Sequence, residues 1–311
     1  VKRCLHAIRL LNEAQIKELL DLTLSIKENH LAGRPVVPPS PSQTVGLLFF
    51  ENSTRTRVAF SQAASLLGHS TVQFGSSGSS ISKGETLKDT LLTLGFAQLD
   101  AMVIRHSASG ATQMASKHFG GPIVNAGDGQ HEHPTQALGD AVTILQHKGR
   151  LDGLKVAIVG DVLHSRVARS NAWFLSRMGA EVRFVGPRTL IPSATGSLPV
   201  QVFYDLRTGI SGCDVVMTLR LQRERMQDGL LPSGGDFAKQ YQINRQTIRS
   251  AAPEAIIMHP GPLNRGMEID DWAADGPQSV ILDQVGNGIY AKTAALAWAL
   301  GADAPKVGGV A

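Results

Sequence analysis

Short, unbroken apolar runs recur along this chain of 311 residues. The clearest are Val45–Phe50 (VGLLFF), Ala101–Arg105 (AMVIR), Leu154–Gly160 (LKVAIVG), Asp214–Thr218 (DVVMT) and Ala255–Met258 (AIIM). A strand with one wet face alternates apolar and polar residues, whereas a continuous run expects cover on both faces. Thr71–Phe74, Pro122–Ala126 and Glu181–Val185 read as further strands. Helical patterns fall between them at Glu13–Asn29, Thr56–Leu67, Gly84–Ala97, Gly110–Phe119, Pro134–His147 and Ser165–Met178, with a last one at Asn287–Leu300. Strands alternating with helices predict an α/β fold of doubly wound parallel sheets. At roughly 100–200 residues per domain, the length suggests two domains. The junction is expected near Lys148–Asp152, giving domains at 1–148 and 149–286, with the final segment 287–311 packing back on the first.

Composition narrows the class. Hydrophobic residues make up 42% of the chain and charged residues 18%, as in a globular protein rather than a disordered one. No apolar run reaches the ~20 residues that span a bilayer. The first residues, Val1 to His6, lack a signal-peptide core. Two cysteines, Cys4 and Cys213, form no CxxC pair and fit a reducing cytoplasm, so a cytoplasmic protein is expected. Net charge is +4, but the basic residues are scattered and aromatics are only 5%, which argues against a nucleic-acid surface. Arginines gathered on small anions are the better reading.

Open parallel sheets bind ligands beyond the carboxyl ends of their strands. After VGLLFF comes Glu51-Asn52-Ser53-Thr54-Arg55-Thr56-Arg57, three hydroxyls and two arginines opening a helix. Helix N-termini favour anions, and Arg adds a bidentate fork, so this reads as a phosphate cradle without P-loop glycines. Arg105 and His106 end another strand. His131-Glu132-His133 invites a metal reading, but HxH without a third nearby ligand does not support one. His133 instead stands before Pro134, where the helix dipole favours a neutral imidazole donating to a carbonyl oxygen, with Gln136 facing the same point. Ser76–Lys83 is a polar segment able to close on an anion. Gly160-Asp161 and His164-Ser165-Arg166 lie where a Rossmann turn would be, but GxGxxG is missing. Arg220 and Gln222 follow DVVMT, and His259-Pro260-Gly261-Pro262 follows AIIM.

FENSTRTR, SKGETLKDT, VIRH, GDGQHEHPTQALGD, GDVLHSRVARSN, LRLQRER and MHPGPLNRG, in this order, resemble the aspartate carbamoyltransferase family over nearly the whole chain. STRTR and HPTQ are shared with ornithine carbamoyltransferases. GDVLHSRVARSN and HPGPLNRG favour the aspartate branch, as does the lack of the cysteine that the ornithine branch carries in the loop matching His259–Pro262. The resemblance implies a carbamoyl phosphate-binding domain, an aspartate-binding domain and an active site in the cleft between them. It implies that Ser53, Thr54, Arg55 and Thr56 hold the phosphate, and that Arg105 bridges phosphate and carbonyl oxygen. His133 and Thr56 donate to that oxygen, while Gln136 and the Pro260 carbonyl fix the carbamoyl amine. Arg166, Arg220 and Gln222 grip the aspartate carboxylates, with Gly261 and Pro262 nearby; many relatives have leucine where Gly261 stands. Lys83 and Ser79, or alternatively Ser80, reach in from a neighbouring subunit of a homotrimer. No metal or other cofactor is implied. A regulatory chain or a dihydroorotase is a possible further partner. The residues also leave room for an ornithine-type carbamoyltransferase, a non-catalytic phosphometabolite-binding paralogue and, less well, a dinucleotide-binding oxidoreductase.

Overall fold

The computed structural model describes residues 3–37, 40–75, 85–222 and 234–302. The chain divides into two compact units, Val1–Val142 with Asn287–Ala311, and Thr143–Gly286.

The first unit is built on four parallel strands, β1 (Thr44–Phe49), β2 (Ser70–Gly75), β3 (Ala101–His106) and β4 (Ile123–Asp128), in the order β2-β1-β3-β4. Val45 and Leu47–Phe49 of β1 are all buried, as a central strand covered on both faces requires. Helices α1 (Glu13–Leu31), α2 (Thr54–Leu66), α3 (Leu87–Gly95), α4 (Ala111–Ala115) and α5 (Pro134–Lys148) alternate with the strands. Asn12 starts α1 with a capping box, its Oδ1 accepting from the Gln15 N–H while Gln15 Oε1 accepts from the Asn12 N–H. Thr86 caps α3 through the Asp89 N–H.

The second unit carries five parallel strands, β5 (Lys155–Val159), β6 (Glu181–Val185), β7 (Val200–Phe203), β8 (Val215–Thr218) and β9 (Ile256–Met258), in the order β7-β6-β5-β8-β9. Its helices are α6 (Arg166–Arg177), α7 (Leu206–Ile210), α8 (Gly234–Tyr241) and α9 (Asp271–Asp275). The last helix, α10 (Ile281–Ala299), begins before the division and ends in the first unit. There Trp298 Nε1 donates to Glu18 and Lys27 Nζ to Asn287, at 2.8 Å each, which ties α10 to α1.

Both sheets are doubly wound. In each, the chain starts at a central strand, builds outward on one side, then returns to build the other. The direction reverses between β1 and β3 and again between β5 and β8. Helices on either side of such a point leave in opposite directions and open a crevice at the strand ends. No helix among the described residues is long and apolar enough to cross a membrane.

Several elements depart from the sequence reading. Helix α2 begins at Thr54 rather than Thr56, because Ser53 takes the extended cap conformation. Helix α4 ends at Ala115, well short of Phe119. Helix α10 begins at Ile281, six residues ahead of the expected Asn287, despite Gly286 and Gly288 in its course. Strand β7 was not expected. It is an edge strand with no fully buried residue, so it lacks the continuous apolar run of its neighbours.

Candidate active site

The described residues singled out in the sequence lie at or beyond the carboxyl ends of β1, β3, β4, β5, β8 and β9. After β1, Ser53 is the N-cap of α2, but its side chain makes no cap hydrogen bond. Its hydroxyl therefore adds to the backbone N–H groups of the first turn, an arrangement that attracts an anion. Thr54 and Arg55 are exposed and Thr56 is buried. Arg57 does not join them: its guanidinium lies over the Phe49 ring, 5.2 Å from the centroid. At ~100° per helical residue, positions 55 and 57 face opposite ways. Of the two arginines that open the helix, Arg55 is therefore the one on the cradle side.

Arg105, at the end of β3, is held by the ends of two neighbouring strands. Its Nη1 donates to the Ala126 carbonyl at 3.2 Å, and Nη2 lies 3.6 Å from Glu51 Oε1. Burial pushes the neighbouring His106 imidazole below its ordinary value, which keeps it neutral at pH 7.

In the segment after β4, His131 and Glu132 are each engaged by protein groups. Asp128 is buried and accepts from Gly110 N and Asn125 Nδ2, both at 2.7 Å, from Glu132 N at 3.2 Å, and from His131 Nδ1 at 3.0 Å. Burial alone would raise its pKa, but the hydrogen bonds from His131 and Asn125 outweigh it and hold the carboxylate below its usual range. Glu132 turns the other way and accepts from Ile8 N at 2.6 Å and Arg9 N at 3.3 Å. Successive residues therefore serve different masters, and no metal-binding group of three occurs among the described residues. The tight 128–132 loop delivers His133, buried, to the start of α5, where its carbonyl accepts from Gln136 N and Ala137 N. Gln136 Nε2 donates to Asp140 Oδ1 at 2.8 Å, which leaves the amide oxygen on the far side as an acceptor.

Sequence reasoning missed what lies beneath this cradle. Lys292 of α10 is 5% exposed and donates to the Gly288 carbonyl at 2.9 Å. Burial pulls its pKa down to about 8, with Asp140 opposing that shift and Arg55 and Arg105 adding to it. The lysine reaches this depth because α5 and α10 cross closely at two glycines: a Cβ on Gly139 would stand 3.3 Å from the Gly288 Cα. One signal was available, a lone lysine inside the alanine-rich stretch Ala291–Ala299.

In the second unit, Gly160 follows β5 at φ +119°, where a Cβ would meet the Leu219 carbonyl at 3.0 Å. That close approach brings the loops after β5 and β8 together. Asp161, fully buried, joins them. Its Oδ1 accepts from His164 Nδ1 at 2.8 Å, its Oδ2 from Gln222 N at 3.1 Å, and Gln222 Nε2 returns to the His164 carbonyl at 3.1 Å. Arg166 is the buried first residue of α6, behind a Ser165 cap that accepts from Ala168 N. Arg169 shapes the same loop by donating to the Leu163 and Ser165 carbonyls. Arg220, half-buried, stands between β8 and Gln222. After β9, Gly261 adopts φ +67° and joins exposed Pro262 through a cis bond. Ser79, Ser80 and Lys83 lie outside the described residues.

Each reversal point thus carries hydroxyls, amides, imidazole and guanidinium groups, and each nearby buried carboxylate is already engaged by protein donors. Such surfaces bind anions and stabilise negative charge. Neither cysteine is paired, and burial pushes the Cys213 thiol up to about 11, which removes it as a nucleophile.

Comparison with known proteins defines the class. Residues 3–146 match the carbamoyl phosphate-binding domain of aspartate/ornithine carbamoyltransferases, and residues 152–299 match their Asp/Orn-binding domain. The chain belongs to the aspartate/ornithine carbamoyltransferase family. Within it, the aspartate carbamoyltransferase catalytic subunit of Granulibacter bethesdensis is 49% identical over 297 residues, covering 95% of this chain and 94% of that one. Among solved structures, aspartate transcarbamoylase from Trypanosoma cruzi in complex with carbamoyl phosphate and aspartate superposes with a TM-score of 0.84 at 31% identity, over 95% of this chain and 96% of the other. Ornithine carbamoyltransferase from Pyrococcus furiosus reaches a TM-score of 0.85 at 27% identity, over 96% of each chain. Shape alone does not separate the branches; sequence places the chain beside the aspartate enzymes.

Proposed function

We infer that this protein is an aspartate carbamoyltransferase. It converts carbamoyl phosphate and L-aspartate to N-carbamoyl-L-aspartate and phosphate, an early step of pyrimidine synthesis. The observation that carries the reading is the charge of the second unit's crevice. Arg166 and Arg220 flank its reversal point, while Asp161 spends both oxygens on His164 and Gln222. An acceptor bearing a side-chain carboxylate suits that balance. Ornithine, with a side-chain ammonium, would need a carboxylate still available to it.

The first unit takes the other substrate. Ser53, Thr54, Arg55 and Thr56 bind the phosphate, with Arg105 between phosphate and carbonyl oxygen. The amine of aspartate attacks the carbamoyl carbon, and the C–O bond to phosphate breaks. Arg105, His133 and Thr56 donate to the carbonyl oxygen as negative charge gathers on it, each such donor being worth about 2.7–4 kcal/mol in comparable sites. The Gln136 amide oxygen accepts from the carbamoyl NH2, as its Nε2–Asp140 bond favours. The leaving phosphate takes the proton lost by the amine. Holding two mutually repelling anions together contributes most, on the order of 7–11 kcal/mol. Ser79 and Lys83 complete the site from a neighbouring subunit of a cytoplasmic homotrimer.

The test is product identity. Carbamoyl phosphate with aspartate should yield carbamoyl aspartate and one phosphate per turnover, with little phosphate released when aspartate is omitted. Citrulline formed faster from ornithine would overturn the assignment. Tight phosphate binding without either product would favour the non-catalytic reading.

A further inference from the structure

Within the His259–Pro262 loop, the family resemblance gives a part to Pro260, Gly261 and Pro262 and none to His259. It is 1% exposed, and its surroundings are unusually specific. The Gly261 N–H donates to His259 Nδ1 at 2.8 Å. That nitrogen is therefore the acceptor of the ring, which leaves Nε2 as its donor. Nε2 donates to Glu268 Oε1 at 3.1 Å, and the same oxygen accepts from Asn264 N at 2.6 Å. Glu268 is fully buried. Its backbone carbonyl accepts from Ile243 N at 2.9 Å and from the Thr218 hydroxyl at 3.3 Å. Thr218 is the last residue of β8, directly ahead of the loop that carries Arg220 and Gln222. The His259 N–H, finally, donates to Gln284 Oε1 at 2.9 Å.

One imidazole thus closes a three-residue turn around the Pro260 carbonyl and fastens it to a carboxylate anchored at the end of β8. Burying such a pair is a poor way to gain stability, since desolvation offsets much of the attraction. It is a good way to hold a carbonyl and a φ +67° glycine still, within a segment where two prolines leave few backbone donors.

We propose that His259 and Glu268 are positioning residues that set the 259–262 loop for the carbamoyl amine and the aspartate, coupling it to the Arg220–Gln222 loop. The proposal rests on the aspartate carbamoyltransferase reading.

The test uses the full-length enzyme and three variants. His259→Ala removes both hydrogen bonds. His259→Asn can restore the one to Gly261 N, as Asn125 Oδ1 already accepts from Gly127 N at 2.7 Å in the first unit. Glu268→Gln keeps the shape and weakens the acceptor. His259→Ala should raise the KM for aspartate roughly tenfold and lower kcat, the scale of one or two lost hydrogen bonds. The Kd for inorganic phosphate, held by the first unit, should stay near the wild-type value. His259→Asn should recover part of the aspartate KM, and Glu268→Gln should fall between it and wild type. Amide hydrogen exchange at Gly261 and Asn264 should quicken in His259→Ala, a readout that needs no turnover. An unchanged aspartate KM with unchanged exchange would overturn the proposal. So would parallel loss of phosphate affinity, the mark of general loosening. If His259→Ala does not fold, the other two variants decide: wild-type KM and exchange in both refute the role. An inactive wild-type enzyme with quickened exchange in the variants would instead overturn the functional reading while leaving the loop anchor intact.

Discussion

Single residues here owe their chemistry to what holds them. His133 sits at the start of α5, where the dipole disfavours an imidazolium, and a donor there strengthens as an oxyanion forms. His133→Ala should lower kcat by about 10²–10³-fold with a much smaller change in the Kd for phosphate; steady-state kinetics beside phosphate titration checks this, and an unchanged kcat would remove His133 from the reaction. Lys292 offers a test independent of activity. Its folded pKa of about 8 lies below the ordinary 10.5, so between those values the unfolded chain binds more protons. Stability contributed by this group therefore rises with pH across that window, by up to about 3 kcal/mol. Urea unfolding of wild type and Lys292→Met at pH 7.5 and 10 should show the difference moving in favour of wild type at the higher pH. A difference that stays flat would mean the lysine is not held as described. Gly261, at φ +67°, should tolerate leucine poorly, with Gly261→Leu losing about 1–2 kcal/mol in thermal or urea unfolding. Equal stability would show that the backbone there relaxes.

At the scale of elements, the continuous apolar runs were legible because burial on both faces leaves no other pattern. VGLLFF, AMVIR, LKVAIVG, DVVMT and AIIM all lie on parallel strands. Strand β7 escaped notice because an edge strand is half wet, and α7 to α9 because they span only five to eight residues, too few for a period to declare itself. The polar clusters after the strands were legible as chemistry, since charged residues are rare at buried strand ends. Their supports were not. Asp128, Asp140, Asp161 and Glu268 read in sequence as ordinary acidic residues, and only folding shows each to be buried and accepting from neighbours, Glu268 through Oε1 alone. Asp161 makes the sharpest case: one carboxylate joins the loops after β5 and β8. Asp161→Ala should raise the KM for aspartate at least severalfold and cost about 1–3 kcal/mol of stability, because His164 and Gln222 lose their acceptor. Aspartate kinetics with unfolding curves would show it; loss of stability alone, with aspartate KM intact, would make Asp161 purely structural.

At the scale of the whole molecule, the proposed function places one anion on each unit and has a neighbouring chain complete the active site. Arg55→Ala and Lys83→Gln chains, each nearly inactive alone, should regain activity when subunits are exchanged, because some sites in the mixed assembly then carry neither change. No recovery after verified exchange would mean that every chain is self-sufficient. The division of labour itself is tested most directly by calorimetric titration of inorganic phosphate into wild type, Arg105→Ala and Arg220→Ala. Arg105→Ala should lose most of the affinity, while Arg220→Ala should bind phosphate as wild type does. Equal loss in both variants would contradict the assignment of the phosphate to the first unit alone.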